Sequence, residues 1–162
     1  MEQEYSIELF EEYDNINFYT IRFDGEELTE AEKFISKFPE GCPYDKDVDI
    51  VLAWLEKISE KGALERYFRP EGRYGDGVSV IPIEVGYNIR LYCLRLSDNI
   101  LIIGNGGIKD ADKWQNSPVL SSYVRLLIDT SNFVSSRRLV GAIRIVGKRI
   151  IGNLNFIRYE KE

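Results

Sequence analysis

The sequence contains no histidine, and this absence removes several kinds of active site at once. Histidine is the most common general base, the most common metal ligand and the central residue of the serine and cysteine catalytic triads. Only two cysteines are present, Cys42 and Cys93, so neither a disulfide framework nor a zinc site of the usual ligands is predicted. Any chemistry of this chain must therefore come from cations, carboxylates and tyrosines.

The sequence contains no long apolar run, and from its first residues we expect no secretory leader. No stretch approaches the roughly 18 uninterrupted apolar residues that a membrane-spanning helix needs. The first fifteen residues carry six carboxylates, where a signal peptide would be basic and then apolar. We therefore expect a cytoplasmic protein that does not bind membranes.

The composition is typical of one globular domain, because 44% of the 162 residues are hydrophobic and 30% are charged. The net charge of −6 hides an asymmetry between the two halves of the chain. Met1–Asp76 carry 20 acidic and 9 basic residues, whereas Gly77–Glu162 carry 7 acidic and 12 basic residues. This asymmetry is a hint of an anionic partner for the basic half, and chance segregation of solvated charges explains it equally well.

The first half of the chain predicts a hairpin followed by two helices. Extended runs at residues 6–13 and 16–23 are rich in β-branched and aromatic residues. Thr29 and Glu32 have the spacing of a capping box, which predicts a first helix over about residues 30–38. Apolar residues at three- and four-residue spacing predict a second helix over residues 45–61, ending at Gly62.

The second half predicts a sheet and a C-terminal extension. Short runs rich in β-branched residues at 78–85, 89–96 and 100–103 are separated by turn residues, which indicates sequential antiparallel strands. A helix at residues 118–128 and one or two closing strands follow. We predict one α+β domain over residues 1–162, in which the two N-terminal helices pack on one face of an antiparallel sheet. The N-terminal hairpin and the C-terminal helix and strands extend this core.

Two residues of the strand at 89–96 are candidates for contact with a nucleic acid. Strand alternation puts Arg90 and Tyr92 on the face opposite Leu91 and Cys93. If the helices cover the latter face, Arg90 and Tyr92 lie on an open surface, where they suit a phosphate and a stacked base. Alternatively, Arg90 forms an ion pair with Glu84 across the sheet.

No cofactor or metal is predicted. The segment GNGGIK at residues 104–109 lacks the spacing of a nucleotide-binding P-loop, and a glycine cluster after a strand is more often a turn or a bulge.

Two predicted helices end in WLEKISEKG. They are followed by a strand reading IRLYCLRL, a second strand, ILIIGNGGIK, that ends in lysine, and a helix that begins with proline. Over about residues 18–129 this arrangement resembles the RelE/ParE superfamily of bacterial toxins, within it the HigB-like and phage-derived branch. The resemblance implies a small antiparallel sheet with two helices on one face. It also implies metal-independent cleavage of messenger RNA on the ribosome, and an antitoxin protein as partner.

The resemblance also implies roles for particular residues. The catalytic candidates are Arg90, Lys109, Glu84 and Tyr123. Arg90 would stabilise the phosphate, and Lys109 would do the same or would assist proton transfer if its pKa is lowered. Glu84 would act as general base, and Tyr123 would take part only if the last helix lies close to the sheet. The RNA-binding candidates are Arg73, which precedes the sheet, Tyr92, which strand alternation places beside Arg90, and Arg125, which belongs to the basic half of the chain.

Several features depart from that family and leave other functions open. The chain is acidic overall, it has no histidine, and Asp110 and Asp112 follow Lys109. Parallel strand order, or helices on both faces of the sheet, would exclude this family. The alternatives are a catalytically inactive binding module of the same fold, which contacts an antitoxin or another protein, and a structural protein of a mobile element.

Overall fold

The computed structural model describes residues 1–70, 78–81, 88–110 and 114–159 of the chain. Within these ranges the chain forms nine strands and three α-helices, so the predicted α+β class is confirmed. The strands are β1 (Glu2–Glu12), β2 (Asn17–Phe23), β3 (Arg69–Pro70), β4 (Val78–Ile81), β5 (Ile89–Ser97), β6 (Ile100–Ile108), β7 (Ile143–Val146), β8 (Arg149–Gly152) and β9 (Asn155–Tyr159). The helices are α1 (Glu30–Ser36), α2 (Asp45–Lys61) and α3 (Pro118–Leu139).

Seven of these strands form one sheet in the order β3-β4-β5-β6-β2-β1-β9. Neighbouring strands are antiparallel except for β2 and β6, which run parallel from the pair Asn17–Ile100 to the pair Thr20–Ile103. The prediction of a wholly antiparallel sheet is therefore wrong. Parallel strands need a long crossover connection. The connection from β2 to β6 begins with the segment that contains α1 and α2.

The two N-terminal helices cover one face of the sheet, as predicted. The Thr29 side chain accepts a hydrogen bond from the backbone N–H of Glu32, and the Glu32 carboxylate accepts one from the backbone N–H of Thr29. This capping box starts α1 at the predicted residue. Apolar side chains of both helices form one core with β5 and β6, and its fully buried members include Phe34, Val51, Ile58, Leu91, Cys93 and Leu101.

The opposite face of the sheet is covered by α3, so helices lie on both faces. Ser117 caps α3 by accepting a hydrogen bond from the Leu120 N–H, and the helix continues to Leu139, eleven residues beyond its predicted end at Ile128. Buried members of the second core include Tyr19, Tyr92, Leu94, Leu120, Val124 and Leu127. No helix in the described part of the chain is long and apolar enough to cross a membrane.

The C-terminal extension contributes a hairpin and an edge strand. β7 and β8 pair with each other in a two-stranded sheet, and their buried residues Ile143 and Ile150 belong to the same core as α3. β9 pairs with β1 and forms one edge of the main sheet. The extension thus completes the layer that α3 begins.

Two adjacent glycines of β6 provide a test of this packing. A Cβ added at Gly106 would lie 1.8 Å from the carbonyl oxygen of Arg90, whereas at Gly107 the nearest atom would be 3.7 Å away, on the Leu120 side chain. Gly106→Ala must push β5 and β6 apart, so we expect it to lower the free energy of unfolding by about 1–3 kcal/mol. Urea denaturation will measure this.

Gly107→Ala is the matched control. Its added methyl group meets only an ordinary contact, and alanine restricts the unfolded chain, so we expect no loss and a gain of up to about 1 kcal/mol. An equal loss in both variants would contradict the close approach of β5 to Gly106.

Candidate functional site

The face of β5 that carries Arg90 and Tyr92 is not open. The two residues are 3% and 2% exposed, because α3 packs over this face with Leu120, Val124 and Leu127. The Nη1 atom of Arg90 donates a hydrogen bond to the carbonyl oxygen of Ile89 at 3.0 Å. The prediction that Arg90 and Tyr92 lie on an open surface is therefore wrong.

Lys109 lies at the same end of the β5–β6 ladder as Arg90. Arg90 pairs with Gly107 in the register of the two strands, and the backbone N–H of Lys109 donates to the carbonyl oxygen of Asn88 at 2.6 Å. Lys109 is exposed and forms no hydrogen bond or ion pair through its side chain within the described residues. Of the two residues predicted to stabilise the phosphate, Arg90 and Lys109, Lys109 is thus the one that a ligand can reach.

Tyr123 is connected to this end of the sheet by Lys37, a residue that the sequence analysis did not identify as functional. The Nζ atom of Lys37, one residue beyond α1, lies 2.7 Å from the hydroxyl oxygen of Tyr123 in α3. The same Nζ lies 2.7 Å from the side-chain oxygen of Asn105 and 2.7 Å from the carbonyl oxygen of Gly106. These four residues, Lys37, Asn105, Gly106 and Tyr123, are called the Lys37 cluster below.

The end of the β2–β6 pairing explains why the cluster forms at this point. The ladder between these strands ends at Thr20 and Ile103, so the last residues of β6 pair with β5 alone. The carbonyl oxygen of Gly106 then accepts a hydrogen bond from Lys37 instead of from a strand. A single side chain therefore connects α1, β6 and α3 where the sheet narrows.

A buried carboxylate supports the cluster from below. Glu30 of α1 is 3% exposed and lies 2.7 Å from the Nζ atom of Lys33. The Asn105 side-chain nitrogen lies 3.5 Å from the Glu30 carboxylate, while its oxygen faces Lys37. The orientation of the Asn105 amide is thereby set by one group on each side.

The two titratable groups of the cluster have shifted pKa values. Lys37 is exposed as a whole residue, but its ammonium end is partly buried among the three oxygens, and this burial lowers its pKa to about 8. Lys33 lowers the pKa further, while Glu30 opposes the shift. Burial, and then the charge of Glu30, raise the pKa of Tyr123. Near pH 8, Lys37 can therefore both accept and donate a proton.

The remaining candidates are not brought to the cluster. Arg125 is exposed on another side of α3, where a groove of about 520 Å³ is also lined by Ser121, Asp129 and Arg158. Arg73 and Glu84 lie outside the described residues, so neither the predicted general base nor the predicted ion pair between Glu84 and Arg90 is placed.

Lys37 has no local signal that would mark it as functional. A lysine just after a short helix is most simply a favourable charge at the negative end of the helix dipole. Its partner Tyr123 is 86 residues away in the sequence, on a helix whose packing the local pattern does not reveal.

Comparisons of the chain with protein-family models, with curated proteins and with solved structures found no match. Within the described ranges, no group of three or more histidine, cysteine, aspartate or glutamate side chains is arranged to hold a metal ion. The site must therefore be judged from its own geometry.

The burial of Arg90 predicts a role in stability. Arg90→Ala removes a long side chain from a packed layer, and we expect a loss of at least about 2 kcal/mol in the free energy of unfolding. Lys109→Ala, an exposed change at the same end of the sheet, should stay within about 0.5 kcal/mol of the parent. Thermal and urea denaturation will compare the stabilities of the two variants. A loss for Arg90→Ala as small as that for Lys109→Ala would contradict the burial of Arg90.

The lowered pKa of Lys37 predicts a pH dependence of stability. Between about pH 8 and the ordinary lysine value of 10.5, the unfolded chain holds a proton that folded Lys37 has lost, so the free energy of unfolding rises with pH. In Lys37→Met this contribution is absent, and the difference between parent and variant isolates it. NMR titration of the Lys37 side-chain nitrogen should give a midpoint near 8, and a midpoint near 10.5 would contradict the prediction.

Proposed function

We propose that this protein is a metal-independent ribonuclease and that Lys37 is its proton-transfer residue. The observation that carries the proposal is the contact between the Lys37 amine and the Tyr123 hydroxyl, 2.7 Å apart, at an exposed strand end that also bears Lys109. A lysine whose pKa is lowered to about 8 matches the requirement for a base and acid that operates near neutral pH.

The reaction is an attack by the ribose 2′-oxygen on the neighbouring phosphorus. Lys37 in its amine form takes the proton of the 2′-hydroxyl, and the 2′-oxygen bonds to phosphorus. Lys109 offsets the extra negative charge of the pentavalent phosphate. The bond from phosphorus to the 5′-oxygen breaks, and Tyr123 donates its proton to that oxygen. Proton transfer from the Lys37 ammonium to Tyr123 restores both groups, and the products are a 2′,3′-cyclic phosphate and a 5′-hydroxyl.

The biological part of the proposal comes from the family resemblance. A RelE-like toxin would act on messenger RNA, in association with the ribosome, and would be held inactive by an antitoxin protein. The excess of basic residues in the second half of the chain supports contact with an anionic polymer. The parallel pair of β2 and β6 and the helices on both faces meet the condition stated above for rejecting the family, so the ribonuclease proposal depends on the chemistry of the Lys37 cluster.

The test is RNA cleavage by the purified protein in the presence of a metal chelator, together with growth after induced expression in a bacterium. We expect cleavage that rises with pH through about 8, because the amine form of Lys37 is the base. Lys37→Ala should reduce the rate by about 10²–10⁴-fold.

Two further variants separate proton transfer from charge. Lys37→Arg keeps a hydrogen-bonding cation that stays protonated, so it should retain the fold and lose the activity. Lys46→Ala removes an exposed lysine of α2 and should leave both unchanged. Full activity in Lys37→Arg would exclude proton transfer by Lys37.

A second candidate function is a catalytically inactive binding module that contacts a protein partner. The burial of Arg90 and Tyr92 beneath α3 favours it, because the face implied for RNA is already occupied by the chain itself. In that case the parent protein cleaves no RNA under any of these conditions, and the Lys37 cluster only holds α1, β6 and α3 together.

A further inference from the structure

The hairpin formed by β7 and β8 has an outer face of unusual composition. Its register pairs Arg144 with Ile151 and Val146 with Arg149, and all four residues are exposed. The inner face carries Ile143 and Ile150, which are 1% and 6% exposed and belong to the core beneath α3. The outer face thus places two guanidinium groups and two branched apolar side chains in diagonal positions.

The cations of this face are not neutralised within the described residues. Arg144 forms no ion pair or hydrogen bond there, and Arg149 has one loose pair, at 3.8 Å, with the Glu12 carboxylate. Such an exposed pair contributes little, because water screens it. The outer face therefore presents positive charge that is available to a partner.

The chain immediately before the hairpin repeats the same combination. Arg138, at the end of α3, likewise has no ion pair or hydrogen bond through its side chain within the described residues, and the next two residues, Leu139 and Val140, are 89% and 79% exposed. Val146 and Ile151 of the hairpin are 52% and 38% exposed. Cations and apolar side chains are thus presented side by side over residues 138–151.

We propose that the outer face of the β7–β8 hairpin docks an acidic protein segment whose carboxylates are interspersed with apolar side chains. Its carboxylates would pair with Arg144 and Arg149, and its apolar side chains would cover Val146 and Ile151. Nucleic acid fits less well, because phosphates would engage the arginines but leave the apolar side chains in water. The proposal goes beyond the proposed function, since the hairpin packs at the start of β2, through Ile150 and Tyr19, and the Lys37 cluster lies at the end of β6.

The test uses the full chain labelled with ¹⁵N and a short synthetic peptide in which glutamate alternates with valine. We expect saturable NMR shifts in the amides of β7 and β8, with a Kd on the order of 0.1–1 mM for so small a partner. The double variant Arg144→Glu and Arg149→Glu should weaken this binding about tenfold, and it should instead bind a peptide in which lysine alternates with valine.

Control variants and probes complete the test. Arg125→Glu makes the charge change of one of these two substitutions on the exposed side of α3 and should leave the peptide affinity unchanged. Val146→Ser should reduce the affinity without altering the charge. The proposal is overturned by an absence of hairpin shifts at peptide concentrations of about 1 mM. It is also overturned if oligothymidylate shifts the same amides as strongly, or if they shift with protein concentration alone, which would indicate self-association.

Discussion

The structure depends on the burial of β6 from both sides. Every residue of this strand from Ile100 to Gly107 is buried, so the strand can exist only if both faces of the sheet are covered. α1 and α2 supply one cover, and α3 with the C-terminal hairpin supplies the other. A strand that is apolar on both faces belongs in the interior of a sheet, and β6 accordingly lies between β5 and β2.

The glycines of β6 make this double burial possible at the end of the strand. A side chain at Gly104 would meet Leu127 of α3 and the carbonyl oxygen of Tyr92, each 3.1 Å away from its Cβ. Without side chains, β6 can lie close to both β5 and α3. Because the pairing of β6 with β2 ends at Ile103, the carbonyl of Gly106 has no strand beside it on that edge, and Lys37 binds it instead. The candidate site is therefore a consequence of how the central strand ends.

Local sequence patterns predicted the elements better than their arrangement. The capping residues Thr29 and Glu32 and the helical spacing of apolar residues correctly located α1 and α2, since these signals act within one turn or one helix face. Strand alternation correctly separated Tyr92 from Leu91 and Cys93, which belong to the core on the other face. Alternation cannot tell which segment will cover a face. α3 covers that face with Leu120, Val124 and Leu127, which all lie within the predicted part of the helix, and the helix then continues through polar residues such as Ser131 and Asn132.

The same limit explains why Lys37 was missed and why its chemistry is unusual. A lysine with three hydrogen-bond acceptors is ordinarily well satisfied, and a nearby carboxylate would raise its pKa. Here the acceptors are an amide oxygen, a backbone carbonyl and a phenol, all uncharged, while the buried carboxylate of Glu30 is engaged by Lys33 at 2.7 Å. The ammonium is thus held in place without being neutralised, so partial burial favours the amine. Holding a base in place with uncharged acceptors, while the nearest carboxylate pairs with another lysine, is a long-range property of three elements, α1, β6 and α3, which no single stretch of the sequence contains.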